Sequence, residues 1–142
     1  MKRIIMSLAV ATSFVVPAAA LACEGGAHQA SLEPKKVTVA EVAEWTKAKK
    51  ATPVDANGKE TRAKQGVIPG AVLLTSSSQY AVEELPKEKD AKLVFYCANE
   101  KCSASHKAAK RALENGYTDV AVLPEGIAGW KQAGQPTQKP NS

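Results

Sequence analysis

The stretch Lys92-Leu-Val-Phe-Tyr-Cys97 is followed at once by Ala98-Asn99-Glu100-Lys101-Cys102, then by Ser103 to Asn115, with Gly116 behind it. The unbroken apolar run before Cys97 predicts a central strand covered on both faces. Residues 103–115 predict a helix, closed by a glycine free to adopt a left-handed conformation. A strand that feeds a helix through a short loop is half of a βαβ unit. In open sheets of such units, ligands bind at the carboxyl ends of the strands, where this loop lies.

Working outward, the same alternation recurs. Thr38 and Glu41 have the spacing of a capping box, which predicts a helix over 39–49 with an apolar stripe of Val39, Val42, Ala43 and Trp45. Thr52 to Asp55 reads as a short strand, ended by the turn pair Asn57-Gly58. A polar stretch runs to Gln65. Gly66-Val-Ile-Pro-Gly70 then imposes a turn before a short strand over 71–74. Residues 79–85 predict one or two helical turns stopped by Pro86, residues 120–123 a further strand, and residues 125–133 a last helix. Strands alternating with helices give a single α/β domain with a mainly parallel sheet and helices on both faces. No dinucleotide-binding glycine pattern accompanies it.

The N-terminus is a separate matter. Lys2 and Arg3 precede the uncharged run Ile4 to Val16, and Ala20-Leu-Ala22 follows Pro17. A basic start, a short apolar core and an Ala-x-Ala ending predict a secretory signal peptide over 1–22. A membrane span needs roughly 20 apolar residues, more than this run offers. Cleavage after Ala22 makes Cys23 the first mature residue. Ala20, rather than an aliphatic residue, stands three places before it, which favours a soluble product; diacylation of Cys23 and membrane anchoring is the alternative. The periplasm is the expected destination. Residues 23–36 read as a flexible leader and 136–142 as a tail.

Composition bounds the partners. Of 142 residues, 44% are hydrophobic and only 5% aromatic, too few for a surface that stacks bases. The net charge of +5 falls to +3 once Lys2 and Arg3 are removed, too mild to imply nucleic acid or an anionic membrane as partner. Three cysteines are few for a disulfide scaffold and enough for chemistry. No cofactor is implied.

Cys97 ends the strand just before a helix N-terminus, where inward-facing amides and the helix dipole are expected to favour a thiolate. Lowering an ordinary thiol pKa of about 8.5 by about 2 units needs about 2.7 kcal/mol. Lys101 is expected to contribute.

From about residue 37 to 135 the chain resembles a single rhodanese domain. The features that carry the resemblance are Val54-Asp55, Gly66-Val-Ile-Pro-Gly-Ala71, Val94-Phe-Tyr-Cys97, Gly116-Tyr117, Glu125-Gly-Ile-Ala-Gly-Trp130 and Gly134-Gln-Pro136, in that order. The resemblance implies a three-layer rhodanese-like fold over 37–135. It also implies a sulfurtransferase activity in which Cys97 carries sulfane sulfur as a persulfide. Backbone amides of Ala98, Asn99, Glu100, Lys101, Cys102 and Ser103 are then expected to cradle that sulfur or its anionic donor.

Departures from the family pattern sharpen the expectation. Asn57 stands where the family commonly has arginine, and Val67 where it commonly has histidine. Cys102 stands at the loop position of an anion-binding arginine, which argues against efficient thiosulfate:cyanide chemistry, since Lys101 lacks the guanidinium fork. Phosphatases with a similar loop need arginine where Ser103 lies. The pair Cys97-x4-Cys102 allows Cys102 to resolve a persulfide, or the two thiols to act as a thiol–disulfide relay with a periplasmic redox partner. A third reading takes Cys97, Cys102 and His106 as ligands of Cu(I) or Zn(II) in a module without turnover. The partners expected are a small sulfur-containing anion or a thiol acceptor.

Overall fold

The computed structural model describes residues 32–140; the signal segment, Cys23 and His28 lie outside the described residues. Five parallel strands form one sheet: β1 (Lys35–Lys36), β2 (Thr52–Asp55), β3 (Val72–Leu73), β4 (Leu93–Tyr96) and β5 (Val120–Leu123), in the order β1-β5-β4-β2-β3. Among the described residues, α1 (Val39–Lys47), α2 (Lys59–Gln65) and α3 (Ala104–Glu114) lie between strands, and α4 (Gly126–Gln132) follows β5. A single 3-10 turn covers Val82–Glu84, shorter than the helical turns expected there.

β4 is central and all four of its residues are buried, as its unbroken apolar run demands. Its side chains alternate between two cores. Phe95 and Leu93 meet Ala108, Ala109 and Ala112 of α3 together with Tyr80 and Tyr117. Tyr96 and Val94 meet Val42 of α1 and Ile127 and Trp130 of α4. The chain is therefore a three-layer α/β domain with helices on both sheet faces. Alanine at the buried positions of α3 lets that helix lie close on the sheet, which fixes its N-terminus against the end of β4.

The capping box is present. Thr38 Oγ1 accepts from the Glu41 amide at 3.4 Å, while the Thr38 amide donates to Glu41 Oε2 at 2.8 Å. Two boundaries and one helix differ from those expected. The domain begins earlier than residue 37, because Lys35 and Lys36 pair with Ala121 and Val122 as an edge strand. It also ends later than 135: Val67 and Gln138 exchange two backbone hydrogen bonds of 2.9 Å, and Trp130 Nε1 donates to Pro136 O at 2.7 Å. The tail is thus tied down through residue 138 by backbone pairing, which needs no apolar residue and leaves no composition signal. Finally, residues 59–65 form α2, although no apolar stripe announces it. Its anchor is Arg62, which is only 8% exposed.

Candidate functional site

Cys97 leaves β4 at the carboxyl edge of the sheet, and the six residues 98–103 carry the chain to the start of α3. The beginning of this loop is held from behind. The carbonyls of Cys97 and Ala98 accept from the amides of Ile127 at 2.8 Å and Ala128 at 3.0 Å, at the N-terminus of α4. Gly126 makes that approach available: its φ is +60°, and a Cβ there would stand 2.3 Å from the Cys97 carbonyl oxygen.

Asn99 then folds the loop back. Its side-chain Oδ1 accepts from the Lys101 amide at 3.0 Å, and its carbonyl accepts from the Cys102 amide at 3.0 Å. This doubled turn returns Cys102 to Cys97. Cys97 Sγ lies 3.1 Å from the Cys102 carbonyl oxygen and 3.4 Å from Ser105 Oγ. Both thiols are free; Cys97 is 1% exposed and Cys102 is half-buried.

The electrostatics reverse the expectation for Cys97. Burial pushes its thiol up from the ordinary value, and its hydrogen bond to Cys102 adds to this, against opposing contributions from Ser105. Cys102 moves the other way. Its burial is outweighed by the Cys97 thiol and by the amides of Ala98 and Ala104, which together hold Cys102 below the ordinary thiol range. Of the pair, Cys102 is therefore the more acidic thiol and Cys97 the less acidic. Part of the backbone cradle thus faces Cys102's own sulfur. Lys101 is exposed and is not among the groups acting on either thiol.

The remaining expected residues divide plainly. Asn99, Glu100 and Lys101 line a cleft of about 380 Å³ beside the loop, closed on its far side by Glu125, Ala128 and Gln132. Its charged rim is two carboxylates and one ammonium. Ser103 is exposed at the cap of α3 and makes no side-chain capping bond. The metal reading is corrected: no group of three or more His, Cys, Asp or Glu side chains able to hold a metal forms among the described residues. α3 begins at Ala104, which leaves Cys102 in the loop while His106 is helical.

Two residues escaped the sequence reading. Ser105 is 1% exposed and sits against Cys97 Sγ; its position in the first helical turn after a strand-end cysteine is the signal that would have found it. Arg62 Nε reaches Asp55 Oδ1 at 3.1 Å, and its NH2 group donates to the carbonyls of Asp55 at 2.9 Å and Leu74 at 2.8 Å. Asp55 Oδ1 also accepts the Asn57 amide at 2.7 Å. Asp55 pairs in register with Tyr96, so this buried cluster braces the sheet edge one residue from Cys97.

A family model described as the rhodanese-like domain matches residues 38–133. No curated protein matches the chain. Solved structures similar to it include a Rhodopseudomonas palustris protein described as of unknown function and a possible tyrosine phosphatase. That structure is 26% identical, has a TM-score of 0.61, and is matched over 74% of this chain and 85% of its own. A human single-domain sulfurtransferase is 22% identical, with a TM-score of 0.56 over 68% of this chain and 95% of its own. Thiosulfate sulfurtransferase from Pseudomonas aeruginosa is 23% identical, with a TM-score of 0.64 over 77% of this chain but 21% of its own.

Proposed function

The chain belongs to the rhodanese-like domain family, and on that premise we propose that it is an exported sulfurtransferase that carries sulfane sulfur as a persulfide on Cys97. The observation that carries this reading is the placement of Cys97 just after β4, at the start of a loop whose backbone is fixed by α4 and which holds a second free cysteine.

The charge distribution supports a particular order of events. Cys97 is the less acidic thiol and Cys102 the more acidic, which suits Cys102, as its thiolate, to the role of base toward Cys97. As Cys97 Sγ attacks the outer sulfur of a hydropersulfide or polysulfide donor, its proton passes to Cys102. The donor's S–S bond breaks, and its remaining half leaves as a thiolate that takes the proton up from Cys102 and departs as the free thiol. Cys97 then holds the sulfur away from bulk solvent, against Ser105.

Donor class follows from the rim. Glu100 and Glu125 beside the loop oppose a small dianion, and no arginine stands in the loop, so persulfide and polysulfide donors are favoured over thiosulfate. Phosphoryl transfer is disfavoured for the same lack of a guanidinium, with Ser103 in the place it would need. The N-terminal segment 1–22 directs the protein to the periplasm, with anchoring through Cys23 as the alternative. The acceptors are small thiols. The adjacency of the two free thiols also favours a second reading, a thiol–disulfide relay on the same loop.

Transfer from glutathione hydropersulfide, polysulfide and thiosulfate is the direct test. Cys97→Ser is expected to lower turnover by at least about 10³-fold, the scale of losing a nucleophile. Turnover within tenfold of wild type would remove Cys97 from its role.

A further inference from the structure

The structure brings two cysteines together where a sulfur carrier needs one. The loop is shaped to do so: the Asn99 turn carries Cys102 back so that its carbonyl oxygen accepts from Cys97 Sγ at 3.1 Å. Cys102 is partly exposed, whereas Cys97 is buried. An anion-binding residue at this position would point toward the donor. Cys102 instead brings a second free thiol into the loop, its own carbonyl oxygen 3.1 Å from Cys97 Sγ.

We propose that Cys102 resolves the Cys97 persulfide, so that the domain is a persulfide reductase that releases sulfide as well as a sulfur carrier. The inference rests on Cys97 accepting sulfur, as proposed above. Cys102 Sγ attacks Cys97 Sγ, the inner sulfur of the persulfide. The bond between Cys97 Sγ and the outer sulfur breaks, and a Cys97–Cys102 disulfide forms. From the Cys97 hydropersulfide and the Cys102 thiol, the products are the disulfide and one molecule of hydrogen sulfide. The sulfane sulfur gains two electrons and the two cysteine sulfurs supply them. A dithiol reductant then reopens the disulfide by exchange, itself becoming a disulfide.

The surroundings fit this division of labour. The amides of Ala98 and Ala104, as well as Cys97, favour the thiolate of Cys102, its attacking form, so part of that stabilisation persists once Cys97 carries sulfur. Its partial exposure lets a reductant reach the finished disulfide, as reopening requires. The loop is anchored at Cys97 and Ala98 through α4, so closure of the disulfide draws on residues 99–102 and leaves the β4 end in place.

Trypsin cleaves after Lys101 and separates the peptides Leu93–Lys101 and Cys102–Lys107, so each sulfur species is readable by mass. The experiment treats the full chain with one equivalent of glutathione hydropersulfide and follows free sulfide and peptide masses. Wild type is expected to release about one sulfide per chain and yield the two peptides joined by a disulfide. Cys102→Ser is expected to keep the sulfur on Leu93–Lys101 and release sulfide at least about tenfold more slowly. Release from Cys102→Ser at the wild-type rate, or release from wild type with both thiols still alkylatable, overturns the inference while leaving Cys97 as carrier. Absence of added sulfur on Cys97 in every variant rejects the sulfurtransferase reading itself, and the inference with it. Should Cys102→Ser misfold by circular dichroism, Cys102→Ala serves with the same outcomes. Wild type oxidised with diamide supplies a check free of any variant: failure to form the Cys97–Cys102 disulfide also overturns the proposal.

Discussion

Arg62→Met is expected to destabilise the domain by about 3–5 kcal/mol, the cost of removing one partner from a buried ion pair. Asp55 is fully buried, and Arg62 is the cation beside its carboxylate. The substitution also strips hydrogen-bond donors from the carbonyls of Asp55 and Leu74, which belong to or follow neighbouring strands. Methionine retains the apolar stem, so the loss reads the guanidinium and not the packing. Urea unfolding measures it: the midpoint should fall sharply with little change in slope. A loss below about 1 kcal/mol, the range of an exposed pair, would mean that the cluster does not brace the sheet edge. The double change Asp55→Asn with Arg62→Met should recover part of the loss, because no buried charge then remains without its partner.

The second large effect is expected at Gly126, and it falls on chemistry as well as stability. An alanine Cβ there would lie 2.3 Å from the Cys97 carbonyl oxygen, 2.8 Å from the Ala98 carbonyl carbon and 2.9 Å from the Asn99 nitrogen. All three are backbone atoms, so no side chain can swing aside. The φ of +60° adds the left-handed penalty of an L-residue. Overpacking and strain together should cost about 2–5 kcal/mol. The loop must move away from α4, breaking the hydrogen bonds from Ile127 and Ala128 and shifting Cys97 relative to Cys102. Sulfur transfer by Gly126→Ala is therefore expected to fall about 10²-fold, assayed below its unfolding transition. Activity within twofold of wild type would show that α4 does not set the loop.

The parts of this fold that were legible in the sequence are those written in side-chain pattern. β4 announces itself because four consecutive buried positions require four apolar residues. α1 is declared by Thr38 and Glu41, whose hydrogen bonds are local, and Gly116 closes α3 at a φ of +87°. What escaped is written in backbone or in distant partners. β1 is two lysines held by main-chain pairing, and the tail is fixed in the same way at Gln138. α2 has polar and charged side chains throughout except for Ala63, and its inward residue is an arginine whose partner lies seven positions away on another element.

The site was legible to the same limit. The spacing of Cys97 and Cys102 placed both in one loop, but did not say which is the more acidic. A helix N-terminus beside a thiol argues for activation, and that argument favoured Cys97. Burial at the end of a central strand acts against it, while Cys102, returned by the Asn99 turn, lies nearer the surface and receives the amides of Ala98 and Ala104. Which of two opposed effects wins depends on depth and loop course, and neither is a property of spacing.

Sulfur capture by Cys97 is the point on which the whole account turns, and mass spectrometry of the Cys102→Ser protein after exposure to glutathione hydropersulfide measures it most directly. The account predicts that the tryptic peptide Leu93–Lys101 becomes heavier by one sulfur atom, reversibly by reductant, and that the further change Cys97→Ser abolishes the gain. An unchanged Leu93–Lys101 peptide, or a gain that survives replacement of Cys97, would contradict it.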